Sequence, residues 1–108
     1  MSDAMSNPTI NLLRDLIAID SVNPSLVPGA VGEKEIAQLI ANELRVAGVD
    51  VELQPVTGDR SNVIGVIEGA QKGRTLMLCG HMDTVGVAGM QGPFDPVEKD
   101  GRIYGPGS

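Results

Sequence analysis

Leu76-Met77-Leu78-Cys79-Gly80-His81-Met82-Asp83-Thr84-Val85 is the stretch whose reading decides the fold. Residues 75–79 form an apolar run of strand length, and the pattern predicts a buried strand that leaves its sheet at Gly80. Side chains two apart in an extended chain point to the same side, so His81 and Asp83 are expected to face one space. Ligands of α/β sheets bind beyond the ends of the strands. A carboxylate beside an imidazole fixes its tautomer and raises its basicity, which a metal-bound histidine needs. His81 is therefore a candidate metal ligand, and Asp83 the candidate active-site acid that orients it. A plainer alternative stays open, because a lone histidine in a hydrogen-bonded turn satisfies the same spacing. His81 is the only histidine in the chain, and zinc sites take three or four protein ligands.

The composition narrows the field. A chain of 108 residues with 42% hydrophobic content supports one compact unit with a modest core. Aromatic residues make up only 2%, so burial must come from Val, Ile, Leu, Ala and Met. A formal net charge of -6 argues against a nucleic-acid or anionic-membrane partner. The single cysteine, Cys79, cannot form an internal disulfide and suits a reducing, cytoplasmic setting. No basic region followed by an apolar run marks a signal peptide, and no apolar stretch approaches the roughly 20 residues of a membrane helix.

Taken in order, residues 1–6 are small and polar and are expected to fray. Asn7-Pro8 opens a helix predicted from 8 to about 19, with Ile10, Leu13, Leu16 and Ile17 at helical spacing. Pro24, Pro28 and Gly29 make 20–31 a loop, in which Ser21, Asn23 and Ser25 either line a pocket or close turns. A second helix is predicted over 33–47, stopped by Gly48, with Glu33, Lys34, Glu35 and Arg45 on a solvated face. Residues 49–53 alternate as a half-exposed edge strand, 57–60 turn the chain, and 62–68 read as a central strand. After a glycine-rich link, Asp100-Gly101 between alternating residues signals a hairpin. Two helices followed by strands predict an α/β fold, with the helices packed on a mixed β-sheet.

Cys79-Gly80-His81-Met82-Asp83-Thr84-Val85, then Pro93-Phe94, then Asp100-Gly101-Arg102-Ile103-Tyr104-Gly105-Pro106-Gly107 together resemble the M20 family of zinc peptidases and deacylases. Acetylornithine deacetylase, succinyl-diaminopimelate desuccinylase and glutamate carboxypeptidase are of this type. The pair of motifs is far more specific than either half, and the order of elements upstream is similar to the family's as well. Pro106 stands where many members have arginine, which leaves the subfamily open.

The resemblance implies that His81 binds one zinc of a paired site, with cobalt or manganese as substitutes, and that Asp83 holds its imidazole. It implies hydrolysis of the amide bonds of N-acyl amino acids or small peptides. It also implies that 1–108 is an N-terminal portion of a catalytic domain. The bridging aspartate, the Glu-Glu pair, a further acidic ligand, a second histidine and a second, dimer-forming domain are expected outside these residues. The complete enzyme is then expected to be a homodimer, and the 108 residues alone inactive and poorly stable, since their apolar strands lack partners. A different class of function remains beside this one: a non-catalytic fragment or degenerate paralogue that binds a partner through an exposed sheet edge. Other groups are weaker candidates. Cys79 with His81 is a Cys-x-His pair, but a lone cysteine commonly packs as a small buried hydrophobe. Asp95, Glu98 and Asp100 read as a solvated hairpin rim, and Met77, Met82 and Met90 as packing.

Overall fold

Asn7 caps α1 (Pro8–Ile17), its side-chain oxygen accepting from the amides of Thr9 at 2.9 Å and Ile10 at 3.4 Å. Pro8, with no amide hydrogen to satisfy, occupies the first turn. The computed structural model describes residues 7–106, so the expected fraying of 1–6 and the last two residues of the Gly-Pro-Gly-Ser loop lie outside the described residues. Asn7→Ala is expected to lower stability by about 1 kcal/mol, seen as a lower urea midpoint at an unchanged slope. The helix stops two residues short of the predicted end. Asp20 draws the next segment into a turn there, its side-chain oxygen accepting from the Val22 amide at 3.1 Å.

The second helix, α2 (Lys34–Val46), buries Ile36, Ala37 and Ala41 along one stripe. Its C-terminus closes with two bonds, the Val49 amide to the Leu44 carbonyl and the Gly48 amide to the Arg45 carbonyl, both at 3.0 Å. That pair of bonds satisfies carbonyls the helix itself leaves unpaired. At the other end, Glu33 occupies the cap position without a side-chain capping bond. Its carboxylate is engaged elsewhere. Glu33 is only 6% exposed, which corrects the expected solvated face at this residue.

The helix packs on an antiparallel hairpin of β1 (Asp50–Thr57) and β2 (Arg60–Val66). The register runs from Asp50 opposite Val66 to Thr57 opposite Arg60, with an irregularity between Pro55 and Thr57. Proline cannot donate to a ladder, so it fits the edge strand at this break. A second hairpin joins β3 (Val97–Lys99) to β4 (Arg102–Tyr104). Its two linking residues, Asp100 and Gly101, have φ of 53° and 75°, the backbone that a two-residue turn of the Asp-Gly type requires.

The α/β character is therefore present, but the expected mixed sheet is not. The described residues form two separate two-stranded antiparallel sheets, and the parallel pairing is a single bridge between Val22 and Thr84. The 62–68 segment is correspondingly not central: β2 has β1 on one side, and Ile67 is exposed. Residues 75–79 form no strand. Leu76, Met77 and Leu78 are 83%, 82% and 87% exposed, and Cys79 is exposed as well rather than packed as a small hydrophobe. Met77 and Met90 are likewise exposed, and Met82 is half-buried.

The physical reason is one of partners. A strand apolar on both faces needs a ladder along each edge and a layer over each face. Within each hairpin the two strands pair only with one another, and none of the described residues pairs with 75–79 to supply that environment. The radius of gyration of 15.9 Å, against roughly 13 Å for a compact domain of about this length, reflects the same deficit. The buried apolar core is small: Ile17, Val22, Ile36, Ala37 and Ala41.

Candidate functional site

The His-x-Asp corner is held by the loop that follows α1, and the hold begins in the backbone. The Thr84 amide donates to the Ser21 carbonyl at 2.9 Å, and the Asn23 amide to the Thr84 carbonyl at 3.0 Å. These two bonds lay residues 83–84 alongside 21–23. The loop braces itself through Asn23, whose carbonyl accepts from the Val27 amide at 2.9 Å and whose side-chain oxygen accepts from the Ser25 amide at 2.7 Å.

On this support His81 and Asp83 meet. The His81 Nδ1 lies 3.1 Å from Asp83 Oδ1 and 3.0 Å from the Asp83 carbonyl oxygen. An ionised carboxylate and a carbonyl only accept, so Nδ1 carries a proton, and in the neutral ring this leaves the Nε2 lone pair free. The His81 side chain is 84% exposed and that of Asp83 27%. The free nitrogen therefore sits on an accessible ring while the acid behind it is partly covered.

The second oxygen of Asp83 is also taken. The Asn23 side-chain amide donates to Oδ2 at 2.7 Å. The orientation of that amide follows from its partners, since a carboxylate cannot donate and a backbone amide cannot accept. The Asn23 hydrogen bond, ahead of the His81 one and against the opposing effect of partial burial, holds the Asp83 carboxyl below its ordinary pKa. With one oxygen on His81 and the other on Asn23, Asp83 is arranged to orient the imidazole rather than to bind an ion itself.

A second polar tie locks the loop to the β1–β2 hairpin. Arg60 donates from Nε and Nη2 to the two Glu33 oxygens, both at 2.8 Å, and from Nη1 to Ser25 Oγ at 3.0 Å. The fork geometry matches the carboxylate and strengthens each bond. Glu33 raises the Arg60 pKa, chiefly through the hydrogen bond, and the charge of Asp83 adds to the effect.

His81 and Asp83 line two clefts. One, of about 360 Å³, includes Arg60, Ser61 and Asn62 of the hairpin. The other, of about 210 Å³, lies against the helices and is largely apolar, with Leu13, Ile17, Ile36 and Phe94. Thr84 lines the apolar cleft, and its buried hydroxyl oxygen makes no hydrogen bond.

As a metal centre this donor set fits in part. One imidazole with an open Nε2 and a carboxylate behind Nδ1 is the arrangement that a ligating histidine requires. Among the described residues no three of His, Cys, Asp and Glu form a group that could hold a metal ion. Cys79, Asp95, Glu98 and Asp100 are all exposed, and none joins His81 in such a group. Ser21, Asn23 and Ser25 combine the two roles that the sequence left open: Ser21 lines the apolar cleft, while Asn23 both closes a turn and reaches the site. The Glu33–Arg60 tie carried no local signal, because its partners lie 27 positions apart and either charge reads as surface.

Comparison with known proteins places this geometry in context. The chain is 35% identical over 104 residues to acetylornithine deacetylase of Proteus mirabilis, covering 92% of this chain and 26% of the relative. It is 33% identical over 106 residues to acetylornithine deacetylase of Photorhabdus laumondii, covering 94% and 27%. An uncharacterized metallohydrolase of Methanocaldococcus jannaschii is 37% identical over 114 residues, covering 92% and 27%. The chain thus spans about a quarter of the length of the curated relatives it matches. No family profile and no solved structure matches it. Over nearly its whole length the chain resembles an N-terminal part of M20-type hydrolases of the acetylornithine deacetylase kind.

Proposed function

We propose that residues 1–108 supply the His-x-Asp corner of the metal centre in a longer hydrolase, one that cleaves the amide bond of N-acyl amino acids or small peptides. The observation that carries this reading is the His81 ring, its Nδ1 hydrogen bound by Asp83 and its Nε2 open on an exposed edge. His81 is the residue that would hold the metal, with Asp83 fixing the ring from behind. Zinc is the metal proposed, two ions to a complete site, with cobalt or manganese as substitutes. When bound, it supplies Lewis-acid activation of water and of the scissile carbonyl. The general base and the other ligands are assigned to the portion of the polypeptide outside these residues, as is a second, dimer-forming domain.

The names of the relatives support the reaction class, and acetylornithine is the first substrate to try. Among the described residues no helix is long and apolar enough to cross a membrane. The setting proposed is cytoplasmic, where an exposed free Cys79 stays reduced.

The test is a hydrolysis assay on the polypeptide carrying these residues together with the remainder that the relatives possess. A panel of N-acyl amino acids headed by N-acetylornithine should be cleaved. Activity should disappear on chelation and return with added zinc. Hydrolysis that persists unchanged through exhaustive metal removal would sink the reading.

A further inference from the structure

We infer that Asn23 is a positioning residue of this site: by clamping Asp83 it dictates which nitrogen of His81 is free. Residues 23 and 83 are 60 positions apart, yet their side chains make the 2.7 Å bond that fixes the Asp83 carboxylate plane. With Oδ2 held, Oδ1 is aimed at His81 Nδ1. Asn23 is itself immobilised on every polar group it has. Its amide nitrogen donates to Thr84, its carbonyl accepts from Leu26 and Val27, and its side-chain oxygen accepts from Ser25.

The brace extends one step further. Ser25 Oγ accepts from Arg60, which grips Glu33 at the start of α2. The relay runs from a part-buried ion pair, through the 20–31 loop, to an exposed imidazole. An exposed ring with no such backing would exchange its proton between the two nitrogens. Here the acid is held before any ligand arrives, so a ligand meets a lone pair already in place. Only the consequence for metal affinity rests on the function proposed above; the relay itself does not.

Asn23→Asp separates positioning from mere loop structure. Aspartate keeps the side-chain oxygen that closes the turn with Ser25, but it loses the donor to Asp83 and sets a like charge against it. Because His81 is the only histidine of the chain, its two ring nitrogens can be read without assignment. We would record them by ¹⁵N-resolved NMR of the metal-free 108-residue chain under mildly alkaline conditions.

The wild-type ring should show the Nδ1–H tautomer alone. Asn23→Asp should collapse it to a mixture of both tautomers, while slow exchange of the Ser25 amide shows the turn intact. Asn23→Ala should lose both the tautomer and the Ser25 protection. A wild-type ring in the Nε2–H form or in free exchange overturns the inference, and so does an Asn23→Asp ring still purely Nδ1–H. In the longer polypeptide, titrated with Zn²⁺ alone, Asn23→Asp should weaken binding by roughly 10–100-fold. If the tautomer changes while wild-type and variant bind Zn²⁺ equally, Asn23 keeps its positioning role and the ligand role of His81 is what fails.

Discussion

Replacing His81 by alanine in the metal-loaded polypeptide is expected to lower zinc affinity and amide hydrolysis by more than roughly 100-fold. The bound comes from comparison with residues that act only through a ligand, whose loss costs about 10–100-fold. Removing the ligand itself has to exceed that. Asp83→Asn provides the internal scale. Its amide can still reach the imidazole, but it cannot supply the charge that favours a proton on Nδ1, so it should fall inside the 10–100-fold range. Isothermal titration with zinc and steady-state hydrolysis on the same preparations would give both numbers. If His81→Ala proves milder than Asp83→Asn, the assignment of ligand and orienting acid is reversed or wrong.

The second large effect is in packing, at Gly105. A β-carbon placed there would run into Ile17, whose Cγ2, Cγ1 and Cδ1 atoms all crowd the position. Ile17 is among the most buried side chains, on the last turn of α1. It is also β-branched, so it has few rotamers with which to yield. Gly105→Ala is therefore expected to destabilise the chain by about 1–3 kcal/mol, the range for overpacking a filled site. Urea unfolding would show this, and a double-mutant cycle makes it specific. Ile17→Ala leaves a cavity and destabilises by itself, but in that background Gly105→Ala should be nearly harmless. Strictly additive effects would mean that the two residues do not touch. The glycine at position 105 is thus explained by a close approach of helix and loop.

What the sequence alone determined here is what depends on neighbours a few positions away. Asn7-Pro8 marked the start of α1 because a capping oxygen and a missing amide hydrogen act within one turn. Gly48 marked the end of α2, Thr57 to Arg60 turned the first hairpin, and Asp100-Gly101 closed the second, each through backbone preferences of the residues themselves. The approach of His81 to Asp83 belongs to the same class, since the two stand two positions apart. The tertiary structure alone decided the rest. Asn23 reaches Asp83 across 60 positions and Arg60 reaches Glu33 across 27, and nothing in the local chemistry of either pair names its partner. The 75–79 run illustrates the other half of the lesson. Its apolar pattern states a need for burial, but burial takes strands and layers on every side, and among the described residues those neighbours are absent.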